Sequence, residues 1–293
     1  ISMISAFANL FGMGGAPLCS IARGKGEHER AIKIMGNSFS TLLISGIVLT
    51  VVCFLFKEPI LYAFGASEDT FPYANSYLEI YLIGTVFVMI SLGMNSFINS
   101  QGFGRTGMLT VLVGAIVNLI LDPIFIFVFN MGVSGAALAT VISQGLSALW
   151  VLVFLTGKRT IYRLSVPSMR LNFRIIREIT SLGLSGFIMA VTNGSVQMVC
   201  NFTLSIYGGD LYIGIMTVIN SVREILTLPV NGITNGAQPV MGFNYGAGKY
   251  TRVRQGIRFT AIICILYTLV AWLLILILPA QFIHLFNSDP TLI

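Results

Sequence analysis

Charge is almost absent from long stretches of this chain, and that decides what it can fold into. Apolar runs of about 20 residues or more, the length that crosses a bilayer as a helix, recur from end to end. They occupy 1–22, 31–56, 73–100, 108–130, 133–156, 173–206, 211–245 and 252–278. The composition agrees: 55% of the 293 residues are hydrophobic and 10% charged, with a mean hydropathy of +0.86. Soluble domains carry about 25% charged residues, and a chain this apolar does not stay unburied as a disordered polymer. The runs are far longer than the alternating segments of about 10 residues that build membrane barrels. They predict an all-α integral membrane protein with about eight transmembrane helices. Ile1 stands inside an apolar run, so the sequence reads as a piece of a longer chain.

Basic residues give the orientation. Arg23, Lys25, Arg30 and Lys33; Arg105; Lys158, Arg159, Arg163, Arg170, Arg174 and Arg177; and Lys249, Arg252, Arg254 and Arg258 all lie in alternate loops or their margins. The intervening loops hold Glu58, Glu68, Asp69, Asp210 and Asp289, with Lys57. Under the positive-inside rule the basic loops are cytoplasmic, which predicts a multi-pass protein of the cell (inner) membrane. One miscounted helix would scramble the alternation. The basic runs are short and flanked by spans, so the lipid bilayer, and not nucleic acid, is the expected partner.

Shifted by 222 residues, the chain matches itself: Asn9 with Asn231, Gly14 with Gly236, Pro17 with Pro239, Gly24 with Gly246, Gly26 with Gly248, Arg30 with Arg252 and Phe64 with Phe286. Six spans separate the copies. Six is even, so both copies face the same way, as in transporters whose repeats are related by an axis along the membrane normal. Completing each copy predicts two six-helix lobes in a parent of roughly 430–450 residues, with one further helix before Ile1 and three after Ile293. Residues 1–157 are then helices 2–6 of the first lobe, 158–172 a cytoplasmic linker, and 173–293 helices 7–9 of a partial second lobe.

Ionisable groups inside a membrane are expensive and mark function. Asp122 leads, in Asn118-Leu-Ile-Leu-Asp122-Pro123, where the spacing puts Asn118 and Asp122 on one helix face. Pro123 removes a backbone donor and should kink the helix near Leu119. Counting from a turn near Asn130–Val133, Thr140 of the next helix falls level with Asp122, and Gln144 level with Asn118. At roughly 1.5 Å per residue this is about 13 Å below the outer surface. Such oxygens suit Na⁺; equally, a carboxylate in a low dielectric carries a proton near neutral pH. Asn193, Gln197 and Asn201 form a second stripe at four-residue spacing, and Glu224 lies mid-span beside Arg223; the stripe, Glu224 and Gln144 are candidates for lining a substrate cavity.

No nucleotide-binding G-x-x-x-x-G-K-[ST] occurs, nor any H-E-x-x-H, Cys/His cluster or nucleophile–base pair. Cys19, Cys53, Cys200 and Cys264 are scattered and read as small buried hydrophobes. The expectation is no enzyme, no ATP-driven pump and no cofactor beyond a coupling ion.

Five segments resemble the multidrug and toxic compound extrusion family. They are Gly15-Ala16-Pro17 with Arg23-Gly24-Lys25-Gly26; Gln101-Gly102-Phe103-Gly104-Arg105-Thr106; Asn118 with Leu121-Asp122-Pro123; Gly132-Val133-Ser134-Gly135-Ala136-Ala137-Leu138-Ala139-Thr140; and Gly236-Ala237-Gln238-Pro239 with Asn244-Tyr245-Gly246-Ala247-Gly248. The resemblance, to a bacterial branch, covers essentially the whole chain as helices 2 to 9 of twelve. It implies Na⁺- or H⁺-coupled antiport of organic cationic or amphipathic drugs by a monomer whose two lobes rock around a central cavity. It also implies that Asn118, Asp122 and Thr140 belong to the first-lobe cation site. The sequence departs from some branches in having only amides around Thr192–Gln197 where they carry an acid. A lipid-linked oligosaccharide flippase of the same superfamily is the alternative; it calls for basic residues in the cavity, and only Arg223 qualifies.

Overall fold

The computed structural model describes residues 2–63, 68, 70–207 and 209–277. Ten α-helices follow one another: α1 (Ser2–Gly24), α2 (His28–Leu55), α3 (Lys57–Ala63), α4 (Phe71–Ile83), α5 (Thr85–Ser100), α6 (Gly104–Pro123), α7 (Gly132–Thr156), α8 (Phe173–Tyr207), α9 (Gly209–Gly246) and α10 (Tyr250–Ile277). A π-turn at Ile124–Val128 and a 3₁₀ turn at Val166–Met169 complete them, and the described residues contain no strand.

The expected eight spans become six helices that are long and apolar enough to cross a membrane, or seven when the bent pair α4–α5 counts as one. The remaining expected span, 211–245, lies within α9, a helix of 38 residues. The bend between α4 and α5 is 54°. It falls at Gly84, where a Cβ would stand 2.6 Å from a methyl of Val141 on α7. The close approach of α7 explains both the missing side chain and the kink, one of the recognised sites of helix bending.

α1 is the helix around which the others pack, and glycine makes this possible. A Cβ on Gly12 would lie 2.7 Å from the Gly93 backbone of α5; on Gly14 it would strike the Ile179 carbonyl of α8; on Gly15, Ser38 of α2; and on Gly24, the Phe243 carbonyl of α9. Membrane helices gain little from the hydrophobic effect against one another, so backbone approach of this kind carries their packing. The core around α1 is Leu10, Ile34, Met35, Leu42, Met89, Met94, Phe97 and Ile98, joined by Ile175 and Ile179 of α8.

The internal repeat is visible in three dimensions. Gly26 and Gly248 both take left-handed φ, +78° and +71°. Around Gly26, the amides of Lys25, Gly26 and Glu27 donate to the carbonyls of Ile21, Arg23 and Ala22; around Gly248, those of Ala247, Gly248 and Lys249 donate to Phe243, Tyr245 and Asn244. Every partner is displaced by the same 222 residues, and the pattern is the Schellman closure that glycine permits. The helices that follow, α2 and α10, begin on equivalent residues too. The Phe64–Phe286 pair of the repeat lies outside the described residues.

The segment 158–172 is pinned to α2 and α5. Gln101, only 2% exposed, accepts at Oε1 from the Thr160 hydroxyl (2.7 Å) and the Tyr162 amide (2.8 Å). Ser40 donates to the Met169 carbonyl at 2.7 Å, and Asn37 Oδ1 accepts from the Asn172 amide at 2.7 Å. Asn172 in turn accepts at Oδ1 from the amides of Arg174 and Ile175, capping α8. The Tyr162 hydroxyl meets His28 Nδ1 at 2.8 Å, and burial raises its phenol above the ordinary range, so it keeps its proton there.

Candidate functional site

The α6–α7 hairpin positions Asp122. Along α6 Gly107, Thr110 and Gly114 are buried; Asn118 and Asp122 continue their three- or four-residue spacing and are half-buried, as are Val113, Val117 and Leu121, while Ile116, Leu119 and Ile120 face outward. That stripe is the one applied to α7. A Cβ on Gly114 would fall on the Ser147 hydroxyl, Ser147 donates to the Thr110 carbonyl at 3.1 Å, and a Cβ on Gly135 would stand 2.8 Å from the Phe125 carbonyl carbon. Contacts at both ends fix the antiparallel register, and interpolation puts Asp122 level with Thr140 and Asn118 level with Gln144. Asn118 Nδ2 donates to Asp122 Oδ1 at 3.2 Å, the bond expected of residues one turn apart.

Among the described residues, no hydrogen bond joins the remaining members to that pair. Thr140 donates back to its own helix at the Ala136 carbonyl (2.9 Å) and Gln144 Oε1 accepts from Ser91 of α5 at 2.7 Å. The irregularity introduced by Pro123 is a π-turn on its C-terminal side, Ile124–Val128, closed by the Phe129 amide on the Ile124 carbonyl at 3.0 Å. The turn beyond it uses left-handed φ at Asn130 and Gly132, +52° and +53°, which these two residue types tolerate best.

The second stripe is spread differently. Asn193 and Glu224 are exposed and Gln197 is half-buried, whereas the side chain of Asn201 lies outside the described residues. A polar cavity of about 150 Å³ sits elsewhere, between α1, α5 and α9, lined by Asn9, Ser20, Asn95, Asn99, Asn235 and Gln238 among others. Its walls include three pairs equivalent in the repeat: Met13 with Asn235, Ala16 with Gln238, and Pro17 with Pro239. The axis relating the two copies therefore runs through it. Asn95 Oδ1 is buried there without a hydrogen-bond partner. Sequence reasoning used Asn9 only as a marker of the repeat and passed over Asn95 and Asn99, although their four-residue spacing is the signal that singled out Asn193 and Gln197.

Comparison with known proteins places this architecture. The MatE family model matches residues 1–124 and 186–293. Over 292 residues, the whole of this chain, it is 26% identical to the multidrug export protein MepA of Staphylococcus haemolyticus and 25% identical to that of Staphylococcus saprophyticus, covering 64% of each. Among solved structures, the MATE multidrug transporter DinF-BH superposes with a TM-score of 0.91 at 31% identity, over 99% of this chain and 65% of that one. A MOP superfamily transporter from Pyrococcus furiosus shares the fold at a TM-score of 0.92 and 22% identity, over 99% of this chain and 65% of that one. The chain thus spans a little under two thirds of the length of these relatives. They are transporters and not enzymes, and the apolar helices make this chain, like them, a multi-pass membrane protein. With the family model matching most of its residues, the chain belongs to the MatE family.

Proposed function

We propose that this chain forms the larger part of a secondary multidrug efflux transporter that exchanges Na⁺ or H⁺ for organic cationic or amphipathic compounds by alternating access. The observation that carries the reading is the Asn118–Asp122 pair on the α7-facing stripe of α6, level with Thr140. A carboxylate held at mid-membrane depth has two chemical uses. As an anion it ligates Na⁺ with the neighbouring amide and hydroxyl oxygens; as an acid it takes up and releases a proton. In either case the net charge of the site alternates with cation occupancy, which is what coupling requires. Domain organisation follows the repeat in this reading, with 1–157 in one lobe, 173–293 in the other, and 158–172 between them on the cytoplasmic side.

The test is accumulation of ethidium and norfloxacin in cells expressing the full-length protein or its Asp122→Asn variant. Efflux should be lost in the variant while the amount of protein in the membrane is unchanged. Undiminished efflux by Asp122→Asn would remove Asp122 from the coupling role.

A further inference from the structure

The segment that joins α7 to α8 alternates its side chains. Thr160, Tyr162 and Leu164 are buried, while Ile161, Arg163 and Ser165 between them face outward, the period of an extended chain. The 3₁₀ turn that follows seats itself in a notch of α2. A Cβ on Gly36 would strike the Ser168 carbonyl, and the Ser40 hydroxyl donates to the Met169 carbonyl at 2.7 Å. That notch fixes the depth of the segment. Lys33 is the last charged residue of α2, and 34–55 carries no charge. At roughly 1.5 Å per residue this stretch is about 33 Å long, against about 30 Å for the hydrocarbon core of a bilayer. Gly36 and Ser40 therefore stand in the first two turns of the hydrocarbon layer, and the segment lies along its cytoplasmic edge.

The face turned outward there is both apolar and basic. Val166 is 79% exposed, Leu171 56% and Phe173 82%. Interleaved with them, Lys158, Arg159, Arg163, Arg170, Arg174 and Arg177 are all exposed, and 158–177 contains no acidic residue. Among the described residues Arg174 alone of these six meets a carboxylate, Glu178 at 3.8 Å. Water accounts for the charges but not for the apolar side chains beside them. A neutral lipid surface accounts for the apolar side chains but leaves the charges without a counter-charge. An anionic phospholipid satisfies both, because guanidinium groups match the geometry of phosphate oxygens and the acyl chains begin directly below.

We propose that the outward face of 158–174 is a binding site for anionic phospholipids of the cytoplasmic leaflet. Arg163, Arg170 and Arg174 hold the phosphodiester groups, and Val166, Leu171 and Phe173 rest on the upper acyl chains. Apolar area and attraction to anionic headgroups act together in this way wherever a basic amphipathic segment lies in a membrane interface.

The test uses the full-length protein, its native cysteines replaced by alanine, with the fluorophore bimane on Val166→Cys. It is reconstituted in phosphatidylcholine vesicles in which a rising fraction of the lipid is brominated phosphatidylglycerol or, in a parallel series, brominated phosphatidylcholine. Bromine quenches bimane on contact, so quenching reports the lipid lying against residue 166. Both series should quench, and phosphatidylglycerol should reach half-quenching at a fraction about tenfold lower. Arg170→Gln should raise that fraction about fivefold, the loss of one basic residue at an anionic surface. Arg163→Gln/Arg170→Gln/Arg174→Gln should make the two lipids equal. Raising the salt from about 0.1 to 1 M shortens the screening length from about 10 to 3 Å and should narrow the difference in the parent protein. Equal quenching by both lipids in the parent protein overturns the anionic site, as does a preference that survives the triple variant or high salt undiminished. No quenching by either lipid overturns the lipid contact itself and gives this face to a protein partner. The arginines replaced are exposed, so the variants keep the fold, and none of these outcomes depends on drug transport.

Discussion

At Gly183 an added methyl group would land on the Leu10 carbonyl of α1, and at Gly14 on the Ile179 carbonyl of α8. Glycine inside a helix ordinarily costs about 0.5–1 kcal/mol relative to alanine, so these positions are held by backbone contact alone. Gly183→Ala should therefore lower the thermal stability of the purified protein, by about 1–3 kcal/mol as for other overpacked sites. Gly145 has the opposite surroundings, with an added Cβ meeting the Phe87 ring at 3.7 Å, an ordinary contact. Gly145→Ala should stabilise by about 0.5–1 kcal/mol. Thermal melts of the two variants check this, and shifts of the same sign would show that the packing argument is wrong. Both residues read alike in the sequence, because the distinction lies in which backbone approaches them.

At the scale of elements, the cytoplasmic segment between the repeats is a docked strap, not a loose tether. Gln101 is its main anchor, and Gln101→Ala leaves the Tyr162 amide without its acceptor and the Thr160 hydroxyl with only the Tyr162 carbonyl. A buried group stripped of its partner costs about 1–3 kcal/mol. The strap should open, and trypsin should cut at Lys158, Arg159 and Arg163 several times faster than in the parent protein; equal cutting rates would mean that the strap is held elsewhere. The helix hairpin around Asp122 was legible beforehand, since a four-residue spacing and a turn at Asn130–Gly132 set its register without reference to the rest of the molecule. The break at Gly84 was not. The run 73–100 reads as one span, and only the side chain of Val141 arriving from α7 divides it into α4 and α5.

For the whole molecule, the alternation of basic loops and the parallel repeat make one joint demand: the turns at Gly26 and Gly248 lie on the same side of the membrane. Cysteines introduced at Lys25 and Lys249 should react with a membrane-impermeant maleimide in inverted vesicles and not in intact cells. A cysteine at Tyr73, 65% exposed near the start of α4, should show the reverse. Labelling of Lys25 and Lys249 from opposite sides would break the parallel repeat and with it the axial cavity.

What the sequence determined by itself was everything that a periodicity can encode. Span length, sidedness, the repeat and the Asn118–Asp122 face follow from counting along one chain, because helix geometry and the cost of burying charge act locally. The tertiary structure decided where the copies meet. The contacts of Gly24 with the Phe243 carbonyl and of Gly246 with the Ile21 carbonyl, the cavity of paired residues above them and the reach of Arg23 to the Phe243 ring join positions more than 200 residues apart. Their contact depends on the angle at which α1 and α9 cross, and that angle is set by packing of all their neighbours at once.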